Sequence, residues 1–174
     1  MEREQNQQHT SRIVFLALSV ALGLALSYVE ALIPISLGVP GAKPGLPNIV
    51  TVTLLYALGP AEAALVSIMR IVLSGFMFGN LFAILYSMAG FICSFLTMLA
   101  LKKSGRFGMT GVSTAGGVMH NVGQLAVAAL LTDGSVFAYL PVLVIAGTLA
   151  GIVVGVAGAI ISRRITVLIR RFRL

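Results

Sequence analysis

The chain has 174 residues, of which 58% are apolar and 10% charged, and its formal net charge is +7. Soluble domains run near a quarter charged, so a small chain with a mean hydropathy of +1.02 is not expected to be a soluble enzyme, and its solvent is lipid. The basic residues flank apolar segments instead of spreading over a polar face interleaved with aromatics; this sets nucleic acid aside as a partner and is the way membrane topology is written.

In chain order, residues 1–12 are polar and read as a short cytoplasmic tail. Helix 1 is predicted over residues 13–33, too long for a signal-peptide core of about 7–15 residues, and Pro34 ends it. The stretch 37–47 is dense in Gly and Pro, the residues that stop regular structure. Helix 2, over 48–58, covers only about half of a ~30 Å hydrocarbon core, so it is either short or leans on an irregular loop. Gly59-Pro60 turns the chain into helix 3 over 61–78, and Gly79-Asn80 turns it again into helix 4 over 81–101. A basic loop over 102–110 leads to helix 5 over 112–131, a turn over 132–135, and helix 6 over 137–161. The basic tail 162–174 is either an amphipathic extension along the anionic inner leaflet or a plain stop-transfer anchor. The expected architecture is therefore all-α, an integral membrane bundle of about six transmembrane helices. Its domains are a tail over 1–12, a transmembrane domain over 13–161 and a tail over 162–174.

Charge supports the count. Lys102, Lys103 and Arg106 form one cluster, and Arg163, Arg164, Arg170, Arg171 and Arg173 form another. With a cytoplasmic N-terminus, an even number of crossings puts both clusters inside, whereas five crossings would strand one outside.

Polar groups within apolar helices are costly and therefore informative. Arg70 in helix 3 is either a structural strut or a cavity-lining cation. On helix 5, His120 and Gln124 are four residues apart and Asn121 and Gln124 three apart, so they share neighbouring parts of one face. They are either ligand contacts or interhelical hydrogen-bond glue. Lys43 and Asn48 lie in or beside the Gly/Pro-rich stretch, where glycine lets backbone approach a ligand closely. Together Lys43, Asn48, Arg70, His120, Asn121 and Gln124 outline a cavity at the outer side, with cations outnumbering anions. A small anionic molecule is the expected guest, although lipid headgroups also fit. Glu30 is a counter-ion or a snorkelling residue, and Glu62 suits the helix dipole. Small residues recur as Ala17, Ala21 and Ala25 in helix 1 and as Gly147, Gly151 and Gly155 in helix 6, which allows close helix approach. No Ser/His/Asp set, no metal-ligand cluster and no acidic diphosphate–Mg²⁺ motif is present, and neither a cofactor nor a metal is expected.

The broken segment after helix 1, the alanine stripe, and the motifs Lys43-Pro-Gly-Leu-Pro-Asn-Ile49 and Met119-His-Asn-Val-Gly-Gln-Leu125 resemble the Gx transporter family. That family is often labelled heptaprenyl diphosphate synthase component I, and it is similar to the S components of energy-coupling-factor (ECF) transporters. The resemblance covers nearly the whole chain. It implies a binding subunit for a small molecule, set in a prokaryotic cell membrane. It also implies a transmembrane coupling protein that docks on Ala17, Ala21 and Ala25, and two cytoplasmic ATPases on other chains. The same label implies a competing function, a membrane accessory subunit for isoprenoid or quinone synthesis. An electron-transfer or scaffold subunit is a third reading, with no haem, iron–sulfur or flavin motif behind it.

Overall fold

A computed structural model describes residues 2–32, 45–131 and 135–172. Among them the secondary structure is helical throughout. The six helices are α1 (Glu2–Leu32), α2 (Asn48–Ala57), α3 (Pro60–Phe78), α4 (Leu81–Ser104), α5 (Met109–Leu131) and α6 (Leu140–Phe172), with a 3-10 turn over Ser135–Tyr139 before α6.

The predicted helices are found, and several of their ends move. Residues 2–12 continue α1 as helix, and α6 runs on through the basic segment to Phe172. The expected loop 102–110 shrinks to four residues. Lys102 and Lys103 close the last turn of α4, where cations suit the exposed carbonyls, and Gly105 terminates it in the left-handed region at φ 68°. At its other end Asn80 caps α4, its side chain accepting a hydrogen bond from the Ala83 N–H at 2.8 Å. Gly59, at φ 132°, makes the turn into α3, which Pro60 opens.

Helix α5 is the centre of the bundle, packed between α4 and α6; α2 leans on α6 and α3, α3 on α4, and α1 on α3. The α5–α6 seam is built from glycine. A Cβ on Gly151 would sit 2.6 Å from the Thr114 Cα, and one on Gly147 2.9 Å from the Gly117 carbonyl carbon. Backbone meets backbone there, the packing mode of helices in lipid.

Three contacts set the helices in register at one end. Arg12 pairs with Glu62, tying the start of the apolar part of α1 to the start of α3. Lys102 donates to the Leu55 carbonyl at the end of α2, and its ammonium lies 4.9 Å from the centre of the Tyr56 ring. Ser162 of α6 reaches Met109 at the start of α5. This end, with Arg12, Lys102, Lys103, Arg106, Arg163 and Arg164, is the basic end; Gly45, Gly79 and Val136 lie at the far end.

The outward faces are greasy. Leu96 is 60% exposed, Leu149 61% and Phe76 76%, exposure that a water-soluble monomer avoids over so large an area. By length and composition α1, α3, α4 and the segment Val136–Ile169 can each cross a membrane. The ten-residue α2 is too short, and α5, although 23 residues long, is not among those four. It is the helix that carries His120, Asn121 and Gln124, and its neighbours shield it. The chain is a helical membrane protein.

Candidate functional site

Arg70 is the eleventh residue of α3 and His120 the twelfth of α5. Both helices rise from the basic end, so at 1.5 Å per residue both side chains sit about 15 Å above it. That shared level is why two residues fifty positions apart in sequence meet.

Each has a glycine opposite it. Gly23 of α1 accommodates the Arg70 stem: a Cβ there would lie 3.0 Å from the arginine Cγ. The same face of α1 carries Ser27 and Glu30, at +4 and +7 from Gly23. Gly90 of α4 does the equivalent for α5, since a Cβ at that position would lie 2.9 Å from both Gln124 Cγ and His120 Cε1. Gly23 and Gly90 thus let two bulky polar side chains turn inward without pushing the helices apart.

Between them lies a cavity of about 60 Å³, lined by Ser27, Glu30, Asn48, Arg70, Ser74, Ser87, His120 and Gln124, with Phe78 and glycines closing it. This is several times the ~10–15 Å³ that one water occupies. Asn48, at the start of α2, also borders a second, smaller cavity of about 20 Å³ with Ser94, Ser113 and Met98.

The hydrogen-bond inventory of the wall is uneven. Glu30 is committed: its carboxylate accepts from the backbone N–H of Gly45 and, at 3.2 Å, of Leu46, which holds the entry to α2 against α1. Ser27 donates to the Gly23 carbonyl and Ser74 to the Ile71 carbonyl, each within its own helix. Arg70, in contrast, makes no hydrogen bond or ion pair among the described residues, although Glu30 and His120 both lie within electrostatic reach. The His120 ring is buried against α4 beside the Gly90 backbone, which its Nδ1 approaches without a well-aligned hydrogen bond. Gln124, only 4% exposed, has no side-chain partner among the described residues either. A buried polar group left unsatisfied costs about 1–3 kcal/mol, and more when charged. A guanidinium, an amide and an imidazole turned into one cavity form a ready receptor for a polar anion.

The structure divides the sequence-predicted set. Arg70, His120, Gln124 and Asn48 come together at the cavity. Asn121 does not: it is buried against α6, where its Nδ2 donates to the Leu143 carbonyl at 2.8 Å. The helical wheel explains the difference. His120 and Gln124 are about 40° apart around the axis, whereas Asn121 lies about 100° from His120, which is enough to turn it to the next helix. For α5 both sequence readings therefore hold, cavity lining for two residues and interhelical glue for the third. Lys43 lies outside the described residues. Ala17, Ala21 and Ala25 are exposed along the outer side of α1, away from Gly23 and Glu30.

Glu30, Ser27, Ser74 and Ser87 were not predicted as site residues. Glu30 had a signal, a carboxylate in an apolar helix at +7 from a glycine. The serines had none, since a helical serine commonly satisfies itself on its own backbone.

Among the described residues, no three His, Cys, Asp or Glu side chains come close enough to hold a metal. No curated protein and no solved structure matches the chain. The family model for heptaprenyl diphosphate synthase component I matches residues 19–161, a span that includes the cavity-lining residues from Ser27 to Gln124. The chain therefore belongs to the heptaprenyl diphosphate synthase component I family.

Proposed function

We propose that this protein is the substrate-binding membrane subunit of an ECF-type importer, taking up a small anionic molecule. One observation carries the reading: Arg70, His120 and Gln124 converge on a cavity inside a membrane bundle, and among the described residues neither the Arg70 guanidinium nor the Gln124 amide has a hydrogen-bond partner. Structural struts and glue are satisfied by protein, as Asn121 is. Groups kept for a guest are left open until it arrives.

Two further features support it. In this reading the basic end is cytoplasmic, which follows the positive-inside rule and leaves the cavity reached from the far, outer end. The exposed Ala17, Ala21 and Ala25 face is a flat strip of helix on which a transmembrane coupling protein docks, while two ATPases on other chains supply the energy. The inward face of the same helix bears Gly23, Ser27 and Glu30, so docking and ligand sensing occupy opposite sides of α1.

The test is assembly and retention. Purified in mild detergent with a coupling protein and ATPase pair from its own organism, the protein is expected to form a stable complex. Ala21→Leu is expected to lower recovery of that complex at least tenfold. Native mass spectrometry is expected to detect a retained anionic small molecule that Arg70→Ala loses. A protein that carries no small molecule and assembles with no coupling subunit would refute the proposal.

The family description favours a second reading, an accessory membrane subunit for heptaprenyl diphosphate or quinone synthesis. It requires that prenyl-chain elongation by the partner enzyme depend on this chain. An elongation assay with and without the protein separates the two.

A further inference from the structure

In an apolar helix a serine hydroxyl commonly donates to a carbonyl of the preceding turn. Ser19, Ser27, Ser67, Ser74 and Ser162 each do so within their own helix. Ser94 of α4 and Ser113 of α5 do not, although they are only 5% and 4% exposed. Neither makes a hydrogen bond among the described residues, and both line the second, smaller cavity between α2, α4, α5 and α6. The Asn48 side chain, which borders that cavity and the one at Arg70, has no partner among the described residues either.

The two cavities follow one helix–helix seam. Ser113 and His120 are seven residues apart on α5, and Ser87 and Ser94 seven apart on α4, so each pair stays within about 20° of one helix face. Those faces meet at glycines: a Cβ on Gly116 would lie 3.1 Å from Ser94 Oγ, as one on Gly90 would lie against His120 and Gln124. Ser94 is one turn below Gly90 and Ser113 two turns below His120, about 6 Å and 10 Å nearer the basic end. Asn48 and Gly45 stand between the upper and lower groups. The rest of the lower wall is apolar, chiefly Val52, Met98 and Val154. Hydroxyls donate and accept, and so does an amide, whereas no charged side chain of the described lining is there to balance an ion. The chemistry matches an uncharged hydrogen-bonding group.

We propose that the lower cavity is a second subsite for the same guest, in which Ser94 and Ser113, with Asn48 at the rim, take up a hydroxyl, carbonyl or amide carried about 6–10 Å from the anionic group held at Arg70. The ligand is then an elongated molecule, with an acid group at one end and a neutral polar group toward the other. The proposal rests on the binding-subunit reading and adds the reach and far-end chemistry of the substrate; the acid is a carboxylate or a phosphate alike. Ser94 and Ser113 are specificity-determining residues. A buried hydroxyl that waits for a partner stays uncompensated when the guest lacks the matching group, so such analogues are rejected.

The experiment titrates the full chain in lipid nanodiscs by ligand-observed NMR, with empty nanodiscs as the blank. The probes are octanoate, 8-hydroxyoctanoate and octanedioate, the short pair butyrate and 4-hydroxybutyrate, and octyl phosphate against 8-hydroxyoctyl phosphate. In whichever acid series binds, the long hydroxylated probe is expected to bind about fivefold more tightly than its parent, the gain of a well-made hydrogen bond. Octanedioate is expected to bind more weakly than 8-hydroxyoctanoate, and 4-hydroxybutyrate, too short to reach Ser94, to gain less than twofold over butyrate. Ser94→Ala/Ser113→Ala is expected to reduce the long-chain gain to twofold or less. Equal affinity of the long parent and hydroxylated probes would mean that the lower cavity holds water only, and overturns the proposal. A gain unchanged in the double variant, an equal gain in the short pair, tighter binding of octanedioate, or binding of no probe in either series overturns it as well. Assembly with the coupling module decides separately whether the chain is a transporter subunit. Should the double variant fail to fold, Ser94→Ala alone carries the decision, with the gain expected to fall at least by half.

Discussion

An arginine in the middle of a membrane helix needs either a partner or a purpose, and Arg70 shows how the surrounding residues make room for one. Its stem lies on Gly23, its charge is balanced at a distance by Glu30, and its donors face open space. Gly90 plays the same part for His120 and Gln124. Gly90→Ala adds a methyl where both side chains already sit at 2.9 Å, so the imidazole and the amide must shift. Ligand affinity is expected to fall about tenfold, a loss of about 1.4 kcal/mol, measurable by titration of the retained ligand. Asn121→Leu should behave in the opposite way. It removes an interhelical hydrogen bond and is expected to lower stability by about 0.6–1.7 kcal/mol in reversible detergent unfolding, with affinity changed less than twofold. A large affinity loss in Asn121→Leu would return that residue to the binding set.

Two helix-level devices hold the cavity's frame. Lys102 bridges α4 to the carbonyl end of α2, where a cation offsets the dipole of a helix too short to reach across the membrane. Lys102→Met keeps the apolar stem and removes the charge; it is expected to cost about 1 kcal/mol, read in the same unfolding assay. The α5–α6 seam tolerates less. A side chain at Gly151 meets the Thr114 Cα and the Ser113 carbonyl, backbone atoms that cannot rotate away. Gly151→Val is therefore expected at or above the upper end of the about 1–3 kcal/mol typical of overpacking, with α5 displaced and ligand affinity lost along with stability. A Gly151→Val protein of unchanged stability would show that the seam is looser than described.

The arrangement of the whole bundle makes a topological statement that labelling can check. Arg12, Lys102, Lys103, Arg106, Arg163 and Arg164 gather at one end, and the cavity is bordered by Gly45, Phe78 and Gly79 of the other. In a Cys93→Ala background, a membrane-impermeant maleimide applied to intact cells is expected to label Phe137→Cys at the far end and spare Ser104→Cys at the basic end. Opening the cells should make Ser104→Cys reactive. The reverse pattern would place the cavity on the cytoplasmic side and remove the importer reading.

Much of this was legible without coordinates. Hydropathy, the Gly-Pro and Gly-Asn turns and the placement of basic residues determine a helical membrane bundle of about six helices, because lipid leaves a chain few ways to satisfy its backbone. The polar residues of α3 and α5 were visible as candidates for the same reason: in an apolar helix each is an expense that needs a cause. What composition and spacing could not decide was which of them face one another. That depended on the relative heights and rotations of helices distant in sequence, set by the glycines at 23, 90 and 151 and by the ties at the basic end. A rotation of about 100° per residue sent Asn121 to α6 and left His120 and Gln124 facing Arg70, and Glu30 joined them only because α1 crosses α3 at Gly23. The residues themselves declare that buried polarity must be accounted for; only their packing in space separates groups that satisfy each other from groups left waiting for a guest.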